Sequence, residues 1–90
     1  MSVLNEMIQQ LINNYHKVVN DEINKRLQQK FKKKVQDIDL SDFHIVHTYA
    51  GQQLMDLNKN IIIYWSYPSI EKVENKYVCK YQIDNQVREI

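Results

Sequence analysis

The chain has few of the residues that interrupt or cross-link a fold, because its 90 residues include one glycine, one proline and one cysteine. A lone cysteine, Cys79, has no partner for an internal disulfide, whereas small domains of oxidising compartments usually contain several disulfides. This favours a reducing compartment, and we expect a cytoplasmic protein of the producing or host cell. One glycine also leaves little scope for a glycine-rich phosphate loop.

Charge of one sign and long apolar runs are lacking as well. Twelve basic and eleven acidic residues give a formal net charge of +1, which provides no general attraction to nucleic acid or to anionic membranes. No apolar run approaches the roughly 18 residues that indicate a membrane span. The first twelve residues have no basic start and are interrupted by polar residues, unlike a signal peptide. We therefore expect no membrane partner.

Helical periodicity is strongest in the first 19 residues. Apolar side chains recur there at spacings of three and four, the pattern of an amphipathic helix: Leu4, Met7, Ile8, Leu11, Ile12, Tyr15, Val18 and Val19. Ser2 is placed to cap this helix, and Glu6 lies in its first turn, where a negative charge is favourable. The sequence predicts a helix from Val3 to Val19.

A second apolar stripe, at spacings of four residues, consists of Ile23, Leu27, Phe31 and Val35. Because each residue turns a helix by about 100°, such a stripe drifts by about 40° at every step. The segment Asn20–Glu22 resembles a second N-cap with an acidic first turn. We predict a kink or a break there, giving one long kinked helix or two helices, with a straight helix as the alternative.

The second half of the sequence has the composition of β-strands. An acidic linker at Asp37–Asp42 is followed by segments that are rich in β-branched and aromatic residues and bounded by polar turns. The predicted strands are Phe43–Ala50, Asn60–Tyr67 and Lys76–Asp84, with a less regular one at Gln53–Leu57 and an irregular connection at Ile70–Asn75. Residues 1–90 are thus predicted to form one α+β domain, a helical segment packed on a three- to four-stranded antiparallel β meander.

Alternation along the predicted strands separates two faces of the sheet. The face expected to pack on the helices contains Phe43, Ile45, His47, Tyr49, Ile61, Ile63, Trp65, Tyr67, Tyr77, Cys79, Tyr81 and Ile83. The other face has an apolar centre and a polar rim, a composition typical of protein–protein contacts. The predicted partner-binding residues, for a foreign protein or a homodimer, are Val46, Ile62, Tyr64, Val78 and Lys80. The alternative is that a helical segment or Val87–Ile90 covers this face.

Histidine and cysteine are the remaining candidates for chemistry. His44 and His47 are three residues apart, so on a strand they point to opposite faces and cannot bind one metal ion. Cys79 lies mid-strand on the predicted core face, where cysteine usually behaves as a small apolar residue. No paired-cysteine zinc motif or convincing catalytic triad is apparent. We therefore expect no catalytic residue, no metal ligand and no cofactor.

Positive charge is concentrated between Lys25 and Lys34. Lys25, Arg26, Lys32 and Lys33 are predicted to lie on the solvent side of the helical segment, where basic side chains can contact phosphates in a salt-dependent manner. The other interpretation is a solvated helix end whose lysines complement the helix dipole. The acidic linker that follows reduces the positive field.

The function expected from these patterns is that of a small non-enzymatic binding protein, which acts through protein–protein contact. The abundance of Asn, Gln, Lys and Ile fits an AT-rich genome, so we expect a regulator or inhibitor of the kind found in phages and mobile elements. A nucleic-acid-binding module that uses Lys25–Lys34 is the alternative.

Overall fold

The computed structural model describes residues 2–90, which form one long α-helix packed against one face of an antiparallel sheet. Helix α1 spans Val3–Phe31, and two 3-10 turns follow at Val35–Asp37 and Leu40–Asp42. The strands of the described residues are β1 (Phe43–His47), β2 (Gly51–Asp56), β3 (Ile61–Ser66), β4 (Ser69–Val73), β5 (Lys76–Ile83) and β6 (Gln86–Glu89). The predicted α+β class is confirmed, but residues 2–90 contain six strands and not three or four.

Helix α1 begins and ends with side-chain and backbone caps. The Ser2 hydroxyl accepts a hydrogen bond from the Asn5 amide at 3.2 Å, which confirms the predicted N-cap. At the other end Lys32 adopts a left-handed conformation with φ of 54°, and its amide donates to the Gln28 carbonyl at 2.8 Å. This conformation stops the helix one residue after Phe31 without a glycine.

The helix passes through Asn20–Glu22 without interruption, so two separate helices are wrong and a single helix is correct. The apolar residues of α1 point in a direction that rotates along the helix, but they stay in contact with the rest of the fold. They do so because successive parts of the helix pack on different elements. The Tyr15 ring packs edge-on against Tyr81 of β5, with ring centroids 5.4 Å apart. Four turns later the Phe31 ring packs in the same manner against Phe43 at the start of β1, at 5.3 Å.

Most neighbouring strands in the sheet are also neighbours in sequence. Strand β5 pairs with β3, β4 and β6, and the register shows on which edge each lies. Lys80 is the partner of both Ser69 in β4 and Glu89 in β6, so β4 and β6 lie on opposite edges of β5. Because Ile83 likewise faces Trp65 in β3 and Gln86 in β6, β3 and β4 share one edge.

Two of the strands correct the sequence-based interpretation. The segment predicted as an irregular connection, Ile70–Asn75, largely forms β4, and Val87–Ile90 lies mainly in β6 at the edge of the sheet instead of over its face. Both strands are short and mostly exposed. Their polar and charged residues give no apolar alternation, so period-two counting could not find them.

The core lies between α1 and the central strands. Its buried residues are Tyr15, Val19, Leu27, Leu54, Ile62, Ile63, Trp65, Cys79, Tyr81 and Ile83. The predicted core face is therefore correct at the centre of the sheet, but Ile45, Tyr49, Ile61 and Tyr67 are exposed. The physical reason for the exposure of Ile45 and Tyr49 is that α1 contacts chiefly β3 and β5 and leaves the β1 side of its own face uncovered. Ile61 is exposed for a different reason, because its register partner is Met55 and it therefore lies on the other face of the sheet.

Candidate protein-binding surface

The sheet has one face toward α1 and a second face that we call the open face. The open face carries Val46, Gln53, Met55, Tyr64, Val78 and Lys80, as the strand registers and the alternation of side chains show. Among residues 2–90, the helix lies on the other side, where Tyr15 packs on Tyr81 and Glu22 accepts a bond from Arg88 at 3.1 Å. No described element crosses the open face, so the predicted alternative of an internal cover is not observed within these residues.

Three apolar side chains of the open face lie close together, and we call them the Tyr64 patch: Val46, Met55 and Tyr64. Val46 is the register partner of Gln53, which is in turn the partner of Tyr64, so these residues form one row across β1, β2 and β3. Met55 lies two residues from Gln53 on the same face of β2. All three apolar side chains are partly exposed. The patch is thus an apolar surface that water reaches.

Ile62 does not belong to this exposed surface, although the sequence places it at the centre. Leu54 pairs with Ile63 and Met55 pairs with Ile61, so Ile62 is the extra residue of a β-bulge in β3. Its side chain is only 5% exposed and belongs to the core. A strict period of two cannot anticipate the bulge.

Val78 and Lys80 lie on the open face but apart from the Tyr64 patch. The position in β5 beside Tyr64 is Asp84, whose amide donates to the Tyr64 carbonyl at 2.9 Å. Val78 is six residues further along the strand, which corresponds to about 20 Å. Lys80 bonds Glu71 across the strands at 3.0 Å, and that bond raises the pKa of its ammonium group. The five predicted partner residues therefore separate into two members of the Tyr64 patch, one buried residue and two distant residues, Val78 and the ion-paired Lys80.

Sequence reasoning missed Met55, which the structure adds to the patch. The sequence predicts only a less regular strand at Gln53–Leu57, and its pattern does not show which side chains lie on which face of the sheet. The signal that identifies Met55 is its register with His44, a pairing that only the folded sheet reveals.

The basic segment is divided by the fold, because Arg26 points toward the sheet. Its guanidinium donates to the Ile62 carbonyl at 2.8 Å and to the Asp84 carboxylate at 2.5 Å. The Asp84 carboxylate also accepts from the Tyr64 amide at 3.2 Å. Arg26 therefore bridges α1 to the start of β3, which extends beyond the pairing of β3 with β5, and its guanidinium is already hydrogen-bonded within the fold.

The other three predicted phosphate contacts, Lys25, Lys32 and Lys33, are exposed. Acidic residues nevertheless lie close to this end of the helix, since Lys33 lines the same shallow cleft as Asp37, Asp39 and Asp42. Hydrogen bonds from Ser41 lower the pKa of the Asp39 carboxyl, which favours its charged form. Lys33 thus has carboxylates as immediate neighbours.

His44 and His47 point to opposite faces of β1, as their spacing predicts. His44 pairs with Met55 toward the open face, whereas His47 pairs with Gln52 toward the helix side. The Gln52 amide links two rings, because its oxygen accepts from the Trp65 indole at 2.9 Å and its nitrogen lies 2.8 Å from His47 Nδ1. Across residues 2–90, no three side chains of the metal-binding types are grouped together.

Cys79 is fully buried in the core, and burial raises the pKa of its thiol. A raised pKa keeps the sulfur in the unreactive protonated form. Nearby, the Tyr15 hydroxyl donates to the Ser66 carbonyl at 2.5 Å, and burial, followed by the proximity of Cys79, raises the pKa of Tyr15 to about 12. Both groups serve packing in this structure.

Within the described part of the chain, no helix is both long enough and apolar enough to cross a membrane. Comparisons of the chain with protein-family models, with curated proteins and with solved structures found no match.

Proposed function

We propose that this chain is a small non-enzymatic binding protein that contacts another protein through the Tyr64 patch. The observation that supports this is an apolar cluster on a sheet face over which no described element lies. Val46, Met55 and Tyr64 are partly exposed there, with Gln53 lying between Val46 and Tyr64 and with His44 and Ser66 at the rim. An apolar centre with a polar rim is the usual composition of a protein contact.

In this proposal the protein acts by occlusion, as a regulator or inhibitor of the type carried by phages and mobile elements, in the cytoplasm of the producing or host cell. Occlusion requires only a stable surface and no reacting group. The rigid row of three paired strands under the patch provides such a surface. Preorganised surfaces bind with less loss of conformational entropy than flexible ones.

Affinity capture with matched variants tests the proposal. The double variant Met55→Lys with Tyr64→Lys places two charges in the patch and leaves β1 and the core unchanged. The control is Val78→Lys, which makes the same kind of change on the same face about 20 Å away. We expect the wild type and the control to retain a specific protein, which is then purified and titrated against all three. The double variant should lose at least about 2 kcal/mol of binding free energy.

Equal binding of the purified partner to all three forms would overturn the assignment of the patch. Circular dichroism of each variant shows that the comparison is made between folded proteins. Loss of binding by the control alone would move the site to the Val78 end of the sheet.

Nucleic-acid binding is the alternative, supported by the exposure of Lys25, Lys32 and Lys33. Its test is fluorescence anisotropy with labelled DNA and RNA at low salt, using the wild type and the triple Lys→Glu variant. If this alternative is correct, the wild type binds with a steep salt dependence and the triple variant does not bind. Absence of wild-type binding at low salt would eliminate it.

A further inference from the structure

We infer that two copies of this chain associate edge to edge through β1, which forms a continuous sheet across a two-fold axis. The inference rests on two features, the edge of β1 that no other described strand pairs with and the apolar groove between α1 and β1. It is independent of the Tyr64 patch. We infer a second copy of this chain as the partner because β1 can pair with itself in one antiparallel register. That register uses every backbone N–H and C=O group that β1 directs away from β2.

Three strands, β1, β4 and β6, have only one pairing partner within residues 2–90. Natural proteins protect such edges with charged side chains, proline or short strands. Strand β4 carries Glu71 and Lys72, and the four-residue β6 carries Arg88 and Glu89. Strand β1, with the sequence FHIVH, contains no Lys, Arg, Asp, Glu or Pro. It is the one free edge of the described sheet that lacks these protective residues.

The free hydrogen-bonding groups of β1 can be assigned from its pairing with β2. The Thr48 amide donates to the Gly51 carbonyl at 2.8 Å, so the even-numbered residues of this strand direct their backbone groups toward β2. Phe43, Ile45 and His47 therefore direct theirs outward. An antiparallel pair centred on Ile45 places Ile45 opposite itself and Phe43 opposite His47, which satisfies all the outward groups of both copies.

Apolar side chains at this edge are uncovered on the helix side. Ile45 is 49% exposed and Leu40 is 61% exposed, although both line a groove of about 460 Å³ between α1 and β1. The floor of this groove includes the core residues Leu27 and Leu54. In the proposed register the Ile45 side chains of the two copies are direct cross-strand neighbours on this side. The pairing would thus cover the exposed half of Ile45 as well as the backbone edge.

Edge pairing would also join the open faces of the two copies. Val46 would lie opposite His44 of the second copy, and His44 is the register partner of Met55. Two Tyr64 patches would therefore become parts of one surface across the axis. A binding partner with two-fold symmetry could then contact both patches at once.

Sedimentation velocity over about 1 µM to 1 mM protein is the first test, and we expect concentration-dependent formation of a dimer. Ile45→Pro removes an outward amide, a change that edge strands tolerate when that amide faces solvent. We expect it to weaken dimerisation by at least about tenfold. The matched control is Val87→Pro, because the Val87 amide faces outward on the opposite edge, as the Cys79–Ile90 hydrogen bonds show. This control should dimerise like the wild type.

Disulfide trapping provides a second test that does not require Ile45→Pro to fold. In the proposed register the two Cα atoms at position 45 are about 5.5 Å apart, within the range of a disulfide. Ile45→Cys should therefore form a covalent dimer under mild oxidation, and the buried Cys79 should not compete. The control is Tyr49→Cys, at a fully exposed position that would lie more than about 20 Å from the same position in the second copy. It should not form a covalent dimer. A monomeric wild type, or equal cross-linking of both cysteine variants, would overturn the inference.

Discussion

Among residues 2–90, four residues other than glycine adopt a left-handed backbone: Lys32, Lys59, Glu74 and Asp84. Glu74 and Asp84 each occupy the first position of a two-residue hairpin loop, where glycine is favoured. The left-handed conformation costs a residue with a side chain about 1–2 kcal/mol. The single glycine, Gly51, is not in either hairpin loop but at the start of β2, where the backbone of β3 approaches closely. A Cβ at this position would collide with the Trp65 carbonyl and lie 2.7 Å from Ser66 Cα.

Replacing Glu74 by glycine should therefore stabilise the protein. Relief of the left-handed conformation is partly offset by the greater freedom of glycine in the unfolded chain, so we expect a net gain of about 0.5–1 kcal/mol. For a domain of this size the melting temperature should rise by about 2–8 °C. The control Lys17→Gly, at an exposed helical position, should lose about 1 kcal/mol. An unchanged or lower melting temperature for Glu74→Gly would contradict the account.

Arg26 should matter for stability although the sequence gives it the character of a surface residue. Its side chain is 35% exposed, so we discount the ion pair with Asp84 for solvent screening. The bond to the Ile62 carbonyl remains, and we expect Arg26→Ala to lower the free energy of unfolding by about 1–2 kcal/mol. Lys25→Ala, which removes an exposed neighbour, should change it by less than about 0.5 kcal/mol. Urea titration distinguishes the two, and equal effects would refute the bridging role.

At the scale of elements, Tyr15 connects the middle of α1 to the sheet. Its hydroxyl bonds the Ser66 carbonyl, and its ring packs on Tyr81. The pKa of about 12 in the folded state lies above the usual tyrosine pKa of 10.0, so the neutral phenol is favoured in the folded state. Below pH 10 both states are neutral and the protein has its full stability. Between about pH 10 and 12 the unfolded chain ionises first, so stability is lost as the pH rises.

The variant Tyr15→Phe separates this effect from other alkaline titrations. At neutral pH it should be less stable than the wild type by about 1 kcal/mol, because a hydrogen bond is lost. At about pH 11.5 the wild type should have lost about 2 kcal/mol relative to the variant, so the order of stability should reverse. Urea unfolding at both pH values measures the difference. A difference that does not change with pH would show that Tyr15 does not titrate abnormally.

The helix, the central strands and the core face could be predicted from the sequence because local patterns encode them. The spacing of Leu4 to Val19 and the alternation of Cys79, Tyr81 and Ile83 along β5 are strong signals of this kind. The continuity of α1 could not be predicted, since it depends on which element each part of the stripe contacts. The role of Arg26 depends on partners 36 and 58 residues away in sequence, and the bulge at Ile62 depends on the register of β3 against β2.

The same distinction applies to the candidate site. Alternation correctly placed Val46, Tyr64, Val78 and Lys80 on one face, since the period of a strand is a local property. The distance between Val78 and Tyr64 depends on the register of β3 against β5, which is set by a single close pairing at Trp65 and Ile83. Sequence periodicity does not contain that register, so the predicted five-residue site could not be resolved into its parts.

For the whole molecule, the central feature is a two-layer arrangement in which one helix covers one face of the sheet. This arrangement leaves two surfaces uncovered, namely the Tyr64 patch on the open face and the free edge of the sheet at β1. Both depend on the helix lying chiefly over β3 and β5, which leaves the open face and the β1 edge uncovered among the described residues. If the second face were in fact internal, neither the proposed contact nor the joined surface of a dimer would be possible.

Adjacent substitutions in β3 test this claim most directly, because Ile63 and Tyr64 point to opposite faces of the same strand. Ile63 is 1% exposed on the helix side, whereas Tyr64 lies on the open face. Urea unfolding, followed by the fluorescence of Trp65 and by circular dichroism, should show that Tyr64→Lys remains folded and loses no more than about 1 kcal/mol. Ile63→Lys should lose about 4 kcal/mol or more, or fail to fold, because it buries an unpaired charge. Equal destabilisation by the two substitutions would show that both faces are internal and would contradict the account.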